Sequence, residues 1–335
     1  MEAKRPGREE MLEMTAKFIP GCVLGAAAEL DVFTALAQEA LSADEVSDRL
    51  VCDRRATTIL LDAVAALRCL DKQADKYTVP AELIPLLSET SPENILPMLR
   101  HRMNMLRGWS QLAWVTKAGI PGPRAASIRG PAADRAAFVA AMHTYSGPVA
   151  DDLVARLGPP RFERLLDVGG ASGTWTLAFL RAVPGATATI FDLPDAIQQA
   201  RERIGGKEFA DRIAFVPGDF YKDDLPGGFD FVWVSAIVHQ HSREHNRVLF
   251  AKVYAALKPG GRIAVRDVVM EPSRTEPLDG AMFAVNMLVH TDTGNTFTFD
   301  ELAEDLRAAG FIEAELRIKD AAMNSVVLAV KPLAA

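Results

Sequence analysis

Short apolar runs alternate with helical stretches through the second half of the chain, and this alternation constrains the fold more than any other feature. RLLDV (164–168), TATIFDLP (187–194), RIAFVPGDF (212–220), FDFVWVSAIV (229–238) and GRIAVRDVVM (261–270) follow one another at similar spacing. Helical segments such as Arg243 to Leu257 lie between them. Strands that alternate with helices pair in parallel through right-handed crossovers, with both sheet faces covered. Two later runs, IEAELRI and SVVLAV, follow a helix bracketed by the capping box Thr298-Phe-Asp-Glu301 and by Gly310. The expectation is an α/β, Rossmann-like domain on a mostly parallel seven-stranded sheet.

The first part of the chain has a different period. AAAELDVFTAL (26–36) and TTILLDAVAALRCL (57–70) repeat apolar side chains at helical spacing, and Ser42-Ala-Asp-Glu45 forms a capping box. KQADKYTV (72–79) has the pattern of a short hairpin. Three helices and a hairpin give the outline of an all-α winged helix. Between Ser42 and Lys76 acidic residues outnumber basic ones, which argues for dimerisation rather than DNA binding. The stretch 119–131 (GIPGPRAASIRGP) is rich in glycine and proline. The expected domains are therefore 1–120, a linker at 121–133, and 134–335.

Composition removes several classes of function. The 335 residues carry a net charge of -7, which repels a phosphate backbone, so no nucleic-acid partner is expected. The start MEAKRPGREE is charged, and no apolar run reads as a membrane span. The three cysteines lack CxxC spacing, which fits a reducing cytoplasm without disulfides or a zinc knuckle.

At the end of the first strand stands Asp167-Val-Gly-Gly-Ala-Ser-Gly173. Glycines let a backbone approach a ligand, and the next helix offers its first amides. The dinucleotide fingerprint GxGxxG, started at Gly169, fails at Ala171 and Thr174, which opposes a nicotinamide cofactor. An acid just before the loop suits a ligand with a cationic amino-acid tail, and S-adenosylmethionine is such a ligand. Asp192 can accept from ribose hydroxyls, and Gly218-Asp219 after the third strand places an acid for adenine.

These segments together resemble the small-molecule O-methyltransferases of the caffeate, hydroxyindole and polyketide-tailoring type. AAAELDVFTAL, LSADEVSDRL, LLDAVAALRCL and KYTVP resemble that family's dimerisation domain. LLDVGGASGTWTLAFL, IFDLPDAI, PGDFYKDDLPGGFDFVWVSAIVH and AALKPGGRIAVRDVVMEP resemble its catalytic domain, and LVHTDTGNTFTFDELAEDLRAAGF its closing segment. The resemblance implies a homodimer of secondary metabolism whose N-terminal helices close the partner's acceptor pocket. It also implies S-adenosylmethionine as methyl donor, S-adenosylhomocysteine as product and an aromatic small-molecule acceptor. The expected cofactor set is Asp167, Gly169, Gly170, Gly173, Asp192, Leu193, Gly218, Asp219, Phe220 and Ser235.

The same resemblance makes His239, at the end of the fourth strand, the general base and Asp267 its orienting acid. Two departures stand beside it. The family's His-Asp-Trp reads His239-Gln240-His241, and the family's second acid falls near Thr296. Transfer to carbon or nitrogen, or a non-methylating use of the bound cofactor, is therefore the alternative. His239, His241 and His245 have metal-like spacing, yet Arg243 and Glu244 open a helix that carries His245 away, and no metal is expected. Met142, His143, Phe283, Met287 and His290 match acceptor positions, and Met103, Trp109 and Trp114 could complete an apolar slot.

Overall fold

A computed structural model describes residues 5–170, 172–206 and 208–334. The described chain divides into two compact units, 1–107 with 124–144, and 108–123 with 145–335.

The first unit is helical, with one small sheet. Its apolar periodicity is realised in helices Phe18–Glu29, Ala43–Leu50 and Arg54–Ala66, which bury Ala27, Ala28, Val46, Leu61 and Val64 in one core. Ser42 and Glu45 make the expected reciprocal cap. Asp71–Gln73 and Lys76–Thr78 pair antiparallel, and Leu41–Ser42 adds a third short strand, which completes a winged helix. The stretch Arg8–Glu29, two consecutive helices near the N-terminus, is long and apolar enough to cross a membrane by length and composition alone, a test that the helix of a soluble protein also passes. The cause is a run of small residues beside Met11, Leu12, Met14, Phe18 and Ile19, all of them exposed.

The second unit is built on a seven-stranded sheet: β1 (Arg164–Val168), β2 (Thr187–Asp192), β3 (Ile213–Pro217), β4 (Phe229–Ser235), β5 (Leu257–Asp267), β6 (Ile312–Ile318) and β7 (Ser325–Val330). The spatial order is β6-β7-β5-β4-β1-β2-β3. All pairs from β3 to β5 are parallel, and β7 runs antiparallel to both β5 and β6. Strand order reverses beside β1, so its carboxyl end lies at the switch point where ligands bind in such sheets.

The pleat sends alternate residues to two cores. Leu166, Val168, Val232, Val234, Ile263 and Val265 enter one, with helices Arg243–Ala256 and Phe299–Ala308. Leu165, Phe231, Trp233 and Ala264 enter the other, with helix Thr174–Ala182 and the last turns of helix Gly130–Leu157.

Residues 108–123, read from sequence as domain end and linker, group with the second unit, whereas 124–144 group with the first. The reason for the former is local packing. Helix Leu112–Ala118 lies against helix Leu278–His290, and Trp109 Nε1 donates to Asn286 Oδ1 at 2.9 Å.

Candidate active site

The turn after β1 depends on its glycines. Gly169 has φ +72, a conformation that side chains rarely adopt, and its N–H donates to the Phe191 carbonyl at 2.8 Å. A Cβ on Gly170 would lie 2.4 Å from Cγ of Asp167, so the loop closes directly over that carboxyl group. Gly173 (φ +61) ends the loop as the N-cap of helix Thr174–Ala182, whose first turn therefore lies next to the glycines.

Asp167 is 1% exposed. Its Oδ2 accepts from Thr176 Oγ1 at 2.6 Å, and its Oδ1 has no hydrogen-bond partner among the described residues. Burial pushes its carboxyl up to about 7, opposed by the Thr176 hydroxyl and reinforced by the charge of Asp192. A buried acceptor without a donor is costly, and a ligand ammonium would relieve it.

Asp192 ends β2, accepts from the Leu193 amide at 2.7 Å, and its carbonyl accepts from Gly218 N at 2.9 Å. Leu193 is exposed at the rim. Asp219 accepts from Tyr221 N at 3.0 Å and pairs with Lys222 at 3.0 Å, and the Tyr221 amide leads in holding its carboxyl below the usual range. Ser235 ends β4 and accepts from Arg266 Nη1 at 3.0 Å. The ends of β1 and β2, and the loop after β3, thus present three carboxyl groups around a glycine turn. The donor set fits a cationic, ribose-bearing ligand such as S-adenosylmethionine. Asp167 and the loop glycines would hold its tail, Asp192 its ribose, and Asp219 with Phe220 its base.

His239 was expected at a strand end and lies instead in a short turn, Val238–Gln240, beyond β4. The strand stops because Ala236 takes φ +57, which breaks the ladder before the histidine is reached. The turn faces the imidazole to Asp267 at the end of β5. His239 Nδ1 lies 2.9 and 2.8 Å from the two Asp267 oxygens, and Val268 N donates to Oδ1 at 2.7 Å. Both residues are buried. With Nδ1 committed to the carboxylate, Nε2 is the nitrogen left for another group.

The second acid position lies near Thr296, as the sequence has it, and holds no acid. Asn295 N donates to the His239 carbonyl at 2.9 Å, so the 294–296 segment does run beside the base, but it presents buried Thr296 and no carboxyl. The remaining imidazoles turn elsewhere. His241 hydrogen-bonds Tyr221 Oη, and His245 Nδ1 lies 3.2 Å from Ser242 Oγ at the cap of its helix. Burial pulls His241 down to about 4, helped by the charges of His239 and His245.

Helix Leu278–His290 carries Phe283, Met287 and His290 at spacings of four and three, which places them on one face. The Phe283 ring packs edge-on to His239 with centroids 4.7 Å apart. His290 Nδ1 lies 2.9 Å from the Asn286 carbonyl, and Gly108 lets the chain pass over its ring. The structure thus brings Trp109, Phe283, Met287 and His290 into the same unit as His239. Trp114 is 74% exposed. Met103 belongs to the first unit, where it packs on Gly25, and Met142 and His143 belong to that unit as well.

Sequence reasoning missed Asn286, which binds the Trp109 indole, and Arg266, which binds Ser235. A polar amide inside the apolar helix LDGAMFAVNMLVH, and a charge inside the strand run IAVRDV, were the available signals.

Comparison with known proteins agrees with this geometry. Residues 103–312 match the O-methyltransferase domain, and residues 12–81 match the O-methyltransferase dimerisation domain. The 3-hydroxy-5-methyl-1-naphthoate 3-O-methyltransferase of Streptomyces sahachiroi is 30% identical, over 92% of this chain and 91% of its own. The N,N-dimethyltransferase OxyT of Streptomyces rimosus is 28% identical, over 96% of each. The crystal structure of human N-acetylserotonin methyltransferase in complex with SAM superposes with TM-score 0.79 at 25% identity, covering 99% of this chain and 100% of that one. The chain therefore belongs to the S-adenosylmethionine-dependent O-methyltransferases that carry an N-terminal dimerisation domain.

Proposed function

We propose that this chain methylates a hydroxyl of an aromatic or polycyclic small molecule, with His239 as base and Asp267 as the acid that orients it. The observation that carries this reading is the buried pair itself, with Nδ1 2.8 Å from the Asp267 carboxylate and the ring edge-on to Phe283. When bound, S-adenosylmethionine supplies an electrophilic methyl group on a good leaving group.

The chain must then align the acceptor, exclude water and accept one proton. A phenol has a pKa of about 10 and free histidine about 6.5, so Nε2 takes the proton as the oxygen attacks rather than before. Asp267 fixes the tautomer that leaves Nε2 bare and stabilises the imidazolium that forms. Phe283 and Met287 supply apolar surface for a flat ring, and His290 a polar group at its edge. The exposed face of Met11, Leu12, Met14, Phe18 and Ile19 is proposed to seat against a second copy of the chain, and the protein to work in the cytoplasm.

His239→Ala, assayed with a panel of phenols, is expected to lower turnover by about 10² to 10⁴-fold. Calorimetry should show S-adenosylhomocysteine affinity within about twofold of the parent, because His239 is placed for the proton and not for the cofactor. Undiminished turnover in this variant would remove the imidazole from the mechanism. A second reading, transfer to nitrogen, is favoured by Thr296 in the second-acid position and by the likeness to OxyT. Labelled cofactor offered with matched phenols and arylamines separates the two, since label carried only by amines overturns the hydroxyl assignment.

A further inference from the structure

We propose that Arg266 is a positioning residue for the cofactor's α-carboxylate, acting through the Ser235 hydroxyl at the carboxyl end of β4. This rests on the cofactor assignment above and extends it to a residue outside the glycine turn.

Arg266 is 1% exposed near the carboxyl end of β5, after the apolar run Ile263–Val265, and such burial is costly for a cation. Its partners are all neutral. Nη1 donates to Ser235 Oγ at 3.0 Å, Nε and Nη2 donate to Asn324 Oδ1 at 3.1 and 2.7 Å, and the guanidinium lies 4.4 Å over the Trp175 ring. Among the described residues no carboxylate hydrogen-bonds it, and Asp267 and Asp320 act on it only at a distance. Burial pulls it down to about 10, so it remains a cation at neutral pH.

Placement gives this charge an outlet. Ser235 pairs with Arg266 across β4 and β5, and it stands one position beyond Val234, the register partner of Val168 in β1. It therefore flanks the glycine turn on the side opposite β2. The oxygen of Ser235 accepts from the guanidinium, so its own proton is free to be donated outward, and the buried charge strengthens that donation. Trp175, on which Arg266 stacks, is in the first turn of the helix that follows the glycines. On the same sheet face Asp167 offers a carboxyl with one unpartnered oxygen. A buried acid on β1 and a buried cation behind β4 match the ammonium and the carboxylate of an amino acid.

The test uses two ligands that differ only in that carboxylate: S-adenosylhomocysteine and its decarboxylated analogue, S-adenosyl-3-thiopropylamine. Both are titrated calorimetrically into the full-length parent, Arg266→Met, Arg266→Lys and Ser235→Ala. Arg266→Met and Ser235→Ala should each weaken S-adenosylhomocysteine about tenfold or more, as expected when a charge-assisted hydrogen bond is lost. The same variants should change the analogue by less than about twofold. Arg266→Lys should recover part of the loss, and a chain carrying both Ser235→Ala and Arg266→Met, titrated alongside, should be no weaker than Arg266→Met, because both changes cut one chain of bonds. Equal losses for the two ligands, or none for either, overturn the proposal. If Arg266→Met does not fold, Ser235→Ala decides by the same criterion. A parent chain that binds neither ligand overturns the cofactor assignment itself, which is a distinguishable result.

Discussion

Arg266 and Asp267 are neighbours on one strand, and the pleat sends them to opposite faces of the sheet. Each is 1% exposed. On one face Asp267 accepts from an imidazole and a backbone amide, and its charge is directed at the base that it orients. On the other Arg266 meets a hydroxyl, a carboxamide and an indole ring, and its charge is hydrogen-bonded but not neutralised. The contrast separates two uses of a buried charge. One bonded to a neutral base fixes the tautomer of its partner, whereas an unmatched one beside the turn keeps a field that a ligand can use.

Removing the charge that orients the base should have the largest effect on turnover. Asp267→Asn keeps the shape, but an amide that donates to Nδ1 puts the imidazole proton on Nε2, where the base must be bare. Turnover with phenols is expected to fall about 10³-fold, with S-adenosylhomocysteine affinity changed less than about twofold. A fall of less than about tenfold would mean that the carboxylate does not set the tautomer.

The unmatched face should instead show itself in binding and in protons. Asp167 is held protonated up to about pH 7 by burial. A ligand ammonium beside it favours the carboxylate and so expels the proton. S-adenosylhomocysteine binding should release up to about one proton at pH 6 and none above about pH 8.5, with affinity rising over the same interval and then levelling. Calorimetry in buffers of different ionisation enthalpy measures this directly, and Asp167→Asn should abolish it. Gly170→Ala should weaken the ligand about tenfold, since its Cβ would stand 2.4 Å from Asp167 Cγ. Proton release that persists in Asp167→Asn would place the titrating group elsewhere.

The two faces were not equally legible in the sequence. Asp167, Gly169, Gly170 and Gly173 are consecutive or nearly so, and a turn between a strand and a helix needs them whatever the rest of the chain does. The strands 164–168, 312–318 and 325–330 were readable from local periodicity for the same reason. Arg266 was not readable as a site residue, because its partners Ser235, Asn324 and Trp175 are far apart in sequence and meet only across packed strands. His239 was placed at a strand end because FDFVWVSAIV is apolar but for Asp230 and Ser235, and no local pattern announces the positive φ at Ala236 that turns the chain early. Trp109 and Asn286 are likewise joined by one long-range bond, which draws 108–123 toward a unit its composition did not indicate.

His241 gives the smallest effect and carries the comparison to a third buried group, held neutral by burial against Tyr221 and Phe220. The groups around it are His239, His245 and Asp267, with Asp219 acting on Tyr221. Its folded pKa is about 4, below the ordinary 6.5 for histidine. The unfolded chain therefore binds a proton more readily, and the stability that this group contributes is complete above pH 6.5 and is lost as pH falls toward 4. The loss at pH 4 is on the order of 3 kcal/mol. His241→Phe removes the titrating group and keeps a ring against Tyr221. Its urea midpoint should be within experimental scatter of the parent at pH 8 and higher than the parent at pH 4.5. A parent and variant that lose stability in parallel between pH 6.5 and 4.5 would show that His241 is already charged in the folded protein. The Tyr221 contact would then be a bond from an imidazolium rather than to a neutral ring.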